Sequence, residues 1–315
     1  MDSLQNIKRR IKGIGNINQI TKAMELVAAT KMRRSQELAL TSRPYAFAAL
    51  DFLATLSQLD GVVLPAILEQ RPIEKKLVVL VTSDKGLCGS FNSAIIREFE
   101  RFLKKNSISF KDPAYAFLAI GQKAGQYLER RTKNLAGKFT RVGDYTTLEQ
   151  IKPVADKVVA GFLNKEWDEV MVFSTQFRSA LKQDVLTRKI LPVSFENLKK
   201  SAQDIVPETG KFAEIAREGG TLIHTDKKEA KEYIIEPSPE VILNELGAHL
   251  VLMEIYHMIL EANASEHAAR RVAMKNASDN AEGLAADLTL IYNKSRQASI
   301  TKEIIEIVAG AEVMN

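Results

Sequence analysis

Hydrophobic residues recur at helical spacing at both ends of this chain and in continuous runs in its middle. At the start, Ile7, Ile11, Ile14, Ile17, Ile20, Met24 and Val27 stand three or four apart, with lysine, arginine, glutamine and asparagine between them. That spacing lines one face of an α-helix, and such a stripe needs a partner helix to cover it. The helix is expected to begin near Ser3 and run to the Ser42-Arg43-Pro44 region, where Pro44 kinks or restarts it. At the other end, no proline follows Pro239, and the sequence is mostly alanine, leucine, isoleucine and charged residues. As one helix it would extend ~110 Å at ~1.5 Å per residue. Only this segment is long enough to cover the first stripe, so the two ends are expected to pair antiparallel.

In the second helix, Ala273, Ala277, Ala281, Leu284, Leu288, Ile291, Ser295 and Ala298 follow a three-four spacing that predicts the seam. Small residues there let two backbones approach closely. The final turns, Ile304-Ile305-Glu306-Ile307-Val308-Ala309, are apolar on nearly all sides. A free helix end of that kind would be a sticky patch, so it is expected to sit within a partner's apolar sleeve.

The middle reads differently. Leu77-Val78-Val79-Leu80-Val81-Thr82 is an unbroken aliphatic run, as in a strand buried on both faces. A turn over 83–91, a helix over 92–105, a strand over 114–120 and a helix over 122–131 are expected next. A helix over 148–163, a strand over 169–175 and an antiparallel edge strand over 181–193, closed by Pro192, follow. This alternation indicates an α/β domain. Residues 195–232 are irregular, rich in lysine, glutamate and glycine, and read as an exposed insertion. The expected fold class is α/β plus a long antiparallel α-helical coiled coil formed by the N- and C-terminal helices. The expected domains are 1–60 for the first helix, 61–238 for a Rossmann-like α/β domain carrying the insertion, and 239–315 for the last helix.

With 315 residues, 45% of them hydrophobic, the chain can bury a sizeable core. No apolar run approaches the ~20 residues that cross a bilayer, and the start lacks a signal peptide's apolar core, so membrane association is expected to be indirect. A single cysteine, Cys88, excludes an internal disulfide and suits a reducing compartment. The net charge of +5 is concentrated early, at Lys8, Arg9, Arg10, Lys12, Lys22, Lys31, Arg33, Arg34 and Arg43. Such a face suits an acidic partner. Glu25 and Glu37 interrupt it and aromatic residues are missing from it, which favours protein over nucleic acid.

The loop from Ser83 to Asn92 follows a strand and precedes a helix, where anions bind in α/β folds. Its glycines fit no nucleotide pattern, no Gly-Lys-Ser/Thr ending is present and no histidine stands near Cys88, so it reads as a structural turn with Cys88 packed inside. His224, His249, His257 and His267 have no metal-ligand spacing and read as surface or seam residues. No catalytic residue, cofactor or metal site is expected.

Three groups of segments stand out: Ile20-Thr21-Lys22-Ala23-Met24-Glu25-Leu26-Val27-Ala28-Ala29-Thr30-Lys31-Met32 with Ser42-Arg43-Pro44-Tyr45; Ser83-Asp84-Lys85-Gly86-Leu87-Cys88-Gly89; and Ser265-Glu266-His267-Ala268-Ala269-Arg270, Met274-Lys275-Asn276-Ala277-Ser278-Asp279-Asn280 and Asn293-Lys294-Ser295-Arg296-Gln297-Ala298-Ser299-Ile300-Thr301. Together they resemble the γ subunit family of F-type ATP synthases. The resemblance implies a rotor shaft, non-catalytic by itself, turning inside a ring of α and β subunits, with the α/β domain as its foot on the membrane c-ring and the ε subunit as a further partner. It implies a peripheral place on the cytoplasmic face of a bacterial plasma membrane. Arg296 and Gln297 match the pair that meets a β-subunit catch loop, and Lys22, Met24 and Arg270 the parts near β's lever. Ile304, Ile305 and Val308 belong to the end in the sleeve, and Tyr233 and Glu236 face the membrane ring. Arg271 stands where relatives carry an apolar residue, and the insertion holds no cysteine for a thiol switch. The competing readings are an unrelated coiled-coil scaffold and a basic nucleic-acid binder.

Overall fold

The computed structural model describes residues 4–56, 65–143, 146–193 and 238–313. The expected insertion at 195–232, and with it His224, Tyr233 and Glu236, lies outside the described residues. The elements, in order, are α1 (Leu4–Leu56), β1 (Lys76–Val81), α2 (Phe91–Lys105), β2 (Tyr115–Ile120), α3 (Gln122–Glu129), β3 (Leu135–Phe139), α4 (Leu148–Leu163), β4 (Glu169–Phe177), β5 (Gln183–Leu191) and α5 (Pro239–Val313). Contacts divide the chain into two compact units, Met1–Ala28 with Arg271–Asn315, and Ala29–Arg270.

In the larger unit the strands lie in the order β3-β2-β1-β4-β5, parallel except for β5, which runs antiparallel along β4 as its edge position and alternating charges predicted. Side chains alternate between the sheet's two faces, so each strand feeds two cores. Leu77, Val79, Val81, Leu118, Ile120, Val170 and Val172 pack with Ile151, Val154, Val158 and Phe162 of α4 and with Leu250, Val251, Ile255 and Ile259 of α5. Val78, Leu80, Phe117, Ala119 and Phe173 pack on the other face with Ile95, Phe99 and Leu103 of α2 and Leu128 of α3. Phe99 sits edge-on to Phe117 and Phe173 at centroid distances of 6.0 and 5.4 Å, a favoured aromatic geometry.

One element departs from the sequence reading. Strand β3 was not foreseen, because Gly137 and Lys138 break its pattern; an edge position needs only one buried face, and pairing to β2 recruits the segment. Helix α1 passes Pro44 and continues to Leu56. A proline removes one i→i−4 hydrogen bond, and here the helix is not ended by that loss.

In the smaller unit α1 and α5 form the antiparallel coiled coil. The Ser278 hydroxyl and the Asn18 amide oxygen hydrogen-bond across it. Lys22 Nζ and Glu282 Oε2, each one turn further along its own helix, meet at 3.7 Å. Helical side chains lean toward their own N-terminus, so in an antiparallel pair these two reach back toward the same level.

The seam differs from the expected stripe. On α1 the inward positions are Ile7, Ile11, Ile14, Asn18, Thr21, Glu25 and Ala28, all buried or half-buried, while Ile17, Ile20 and Val27 are more than half exposed. The expected stripe takes three successive steps of three from Ile11 to Ile20 and so falls one residue, about 100°, short of the 3.5-residue repeat that keeps a coiled-coil seam facing its partner. On α5 the inward set is Met274, Ser278, Ala281, Ala285, Leu288, Tyr292, Ser295 and Ser299. Ala281, Leu288 and Ser295 were foreseen. Leu284, Ile291 and Ala298 are exposed, and Ala273 and Ala277 are half-buried beside the seam.

Candidate functional site

Three loops and one helix face meet at the carboxyl ends of the parallel strands. The turn after β1 is built on Asn92, the second residue of α2. Its amide oxygen accepts the Ser83 N–H at 3.0 Å, and its Nδ2 donates to Ser83 Oγ at 2.7 Å and toward Cys88 Sγ at 3.2 Å. Burial pushes the Cys88 thiol above its ordinary range, against the opposing effect of the Ser83 hydrogen bond. A buried, protonated thiol packs and does not attack.

The N-terminus of α3 is filled by a side chain of the turn after β1. Asp84 Oδ1 accepts the Gln122 N–H at 3.0 Å and its Oδ2 the Arg141 N–H at 2.9 Å. The next two amides of α3, Lys123 and Ala124, bond to the Ser83 carbonyl and to Thr82 Oγ1. A carboxylate at a helix N-terminus serves as an anion would. Gly121 is required just before it: its φ is +94°, and a Cβ would stand 2.1 Å from the Thr82 carbonyl oxygen. The loop's side chains thus serve its own turn and the α3 N-terminus, while Ser90 before α2 makes no side-chain capping bond.

Helix α5 grips these loops through a polar stripe. Asn263 Nδ2 donates to the Val142 carbonyl at 2.9 Å and to Thr146 Oγ1 at 2.8 Å, and the Tyr256 hydroxyl donates to the Thr146 carbonyl at 3.3 Å. His267 Nε2 lies 3.1 Å from the Gly143 carbonyl, and its Nδ1 lies 3.1 Å from Arg270 Nη1. A neutral ring protonated on Nε2 satisfies both contacts. Arg270 Nη2 donates to Glu266 Oε1 at 2.6 Å and reaches the Gly86 and Lys85 carbonyls at 3.2 and 3.4 Å. Arg270, expected at a partner surface, is therefore buried and spends its guanidinium inside the unit. His257 and His267, expected at the surface or in the seam, are buried within the larger unit and not in the coiled-coil seam. Glu266 and His267 stand in a segment the sequence reading quoted; Tyr256 and Asn263 were missed. Polar residues spaced seven, four and three apart are their signal, masked by Glu254, His257, Glu261 and Ser265 in the same stretch.

The other expected interface residues lie in the smaller unit. Lys22, Arg296 and Gln297 are exposed and Met24 is half-buried. Ile304, Ile305 and Val308 are exposed, with Ile307 at 72%. Leu26 and Leu290 are each 70% exposed, and Leu284 and Ile291 about half. So many large apolar side chains on one helix pair exceed the scattering normal for a monomer surface and mark a partner surface. Among the described residues no cluster of histidine, cysteine, aspartate or glutamate could hold a metal, and no helix is long and apolar enough to cross a membrane.

A family model described as ATP synthase matches residues 3–314. The ATP synthase gamma chain of Roseiflexus castenholzii is 38% identical, over 100% of this chain and 99% of its own length. This chain belongs to the ATP synthase γ-chain family. The γ chain of Synechococcus sp. is 36% identical over the full length of both. Among solved structures, a chain of the central stalk and c-ring of Tetrahymena thermophila mitochondrial ATP synthase is 25% identical, with a TM-score of 0.57 over 82% of this chain and 99% of that one. A chain of Euglena gracilis mitochondrial ATP synthase shares the fold, with a TM-score of 0.62 at 19% identity over 99% of this chain and 94% of that one. As in other γ chains, the chemistry of this polypeptide is that of a part within an ATP-synthesising and ATP-hydrolysing complex.

Proposed function

We propose that the chain is the central rotor shaft of a proton-translocating F-type ATP synthase, coupling rotation of a membrane ring to conformational change at catalytic sites on β subunits. The observation that carries this reading is the exposed apolar end of α5, from Ile300 to Val308, on a chain of γ family. Such an end needs an apolar sleeve, and a ring of α and β subunits supplies one. The helix pair is asymmetric: α1 presents Ile17, Ile20, Leu26 and Val27 outward, and α5 presents Leu284, Leu290 and Ile291. A shaft with unlike faces contacts each β subunit differently, and only differential contacts shift a conformational equilibrium. Turning it steps each site through binding, synthesis and release.

In this reading the subunit is non-catalytic by itself and holds no cofactor. Lys22, Met24, Arg296, Gln297, Ile304, Ile305 and Val308 meet α and β, and Arg270 supports that surface from within. Tyr233 and Glu236 face the c-ring, and ε is a further partner. The chain lies on the cytoplasmic face of a bacterial plasma membrane, touching neither lipid core nor nucleic acid. Co-expression with α and β subunits tests the reading: a stable, ATP-hydrolysing complex is expected, lost when the residues after Ser299 are removed. An isolated chain that bound magnesium ATP at micromolar levels in equilibrium dialysis would overturn the non-catalytic assignment.

A further inference from the structure

Helix α5 is held in the larger unit by two kinds of contact with different resistance to twisting. Its apolar residues, among them Leu250, Val251, Ile255, Met258 and Ile259, pack on the sheet and α4. Apolar packing is non-directional, and its interlocking side chains resist rotation of the helix less sharply than bonds that must keep an angle. Hydrogen bonds are directional. A polar atom ~6 Å from the helix axis moves ~1 Å for a 10° turn, enough to take a 2.9 Å bond outside its normal range.

The directional contacts are placed on two sides. Tyr256, Asn263, His267 and Arg270 share one face and hold the loops after β1 and β3. Glu261 projects from the far side and pairs with Arg188 of β5 at 3.0 Å, both side chains nearly buried. His267 is 1% exposed and Asn263 6%, so a slipped helix would find no water to replace the lost partners. Rotation in either sense breaks contacts on both sides at once.

We propose that these are positioning residues forming a torque clasp, which makes the sheet domain and α5 turn as one body instead of letting the helix slip under load. Beyond Arg270, α5 continues as the same helix to Val313, so what the clasp receives is carried along it. The proposal rests on the rotor reading above and adds where torque enters the long helix.

The test uses the whole complex in sealed vesicles, with ATP hydrolysis and ATP-driven proton uptake measured on the same preparation. Thr146→Val removes one of the two acceptors of Asn263 with little change of shape, and His267→Leu removes the donor to the Gly143 carbonyl. Each is expected to assemble and hydrolyse ATP near the unaltered rate, while protons pumped per ATP fall several-fold against an opposing gradient. His267→Gln, which keeps an N–H donor, is expected to restore the ratio. An unchanged ratio in both Thr146→Val and His267→Leu would overturn the clasp, as would equal loss of pumping and hydrolysis or a failure of His267→Gln to restore the ratio. Failure of the unaltered chain to assemble would overturn the rotor reading, and the clasp with it.

Discussion

Two buried titratable residues give the fold a pH dependence of one sign by different routes. Burial, with the Arg188 guanidinium beside it, pushes the pKa of His257 down to about 4. In the unfolded chain a histidine titrates near ~6.5. The folded pKa is the lower one, so between these values the unfolded state binds more protons. This contribution is complete above ~6.5 and lost as pH falls through about 4, on the order of 3 kcal/mol in all. His257→Phe should flatten the urea-midpoint dependence across that window; an unaltered slope would mean that the folded chain protonates His257. For Asp168, burial alone would raise the carboxyl pKa, but the Lys75 and Glu74 N–H groups and Arg71 outweigh it and hold it below the usual range. That stability is present above ~3.9 and lost as pH falls through the folded value. Asp168→Asn should cost about 3 kcal/mol at neutral pH, because it leaves the Arg71 guanidinium largely buried without its counter-charge. A loss below about 0.5 kcal/mol by urea unfolding would show that the backbone bonds alone suffice.

At the scale of elements, the helices, four of the five strands and the coiled-coil pairing could be read from hydrophobic spacing. The seam inside the pairing could not be read from hydrophobicity alone. Asn18, Thr21, Ser278 and Ser295 face inward while Leu284 and Ile291 face outward. The sequence carries two apolar demands on one helix, one for its partner helix and one for other surfaces, and hydrophobicity does not say which is which. The 3.5-residue repeat does. Substitution separates the two: Ala281→Trp, at a buried seam position, should lower the chain's own stability by ~1–3 kcal/mol through overpacking. Leu284→Ala should leave that stability within about 0.5 kcal/mol and weaken assembly instead. Thermal melts of the isolated chain that ranked the two in the opposite order would put Leu284 inside the seam, where spacing alone places it.

At the scale of the whole molecule, Arg296 is exposed near the end of α5, where its own chain makes no demand on it for burial. Arg296→Ala should leave the isolated chain's melt unchanged while lowering assembly or turnover of the complex, by an amount fitting a charge-assisted hydrogen bond of about 1.5–3 kcal/mol. An equal loss in the isolated chain would assign Arg296 an internal role. The sequence by itself determined the fold class, the two long helices and the sticky end, because period and length are local properties of a chain. It also carried the γ-family segments in order. Only the tertiary structure decided that Asp84 fills the α3 N-terminus, that Arg270 and His267 turn inward to hold loops more than a hundred residues away, and that β3 joins the sheet. Each of these is a partnership between distant segments, and the identity of a polar residue does not reveal which distant carbonyl or amide will satisfy it.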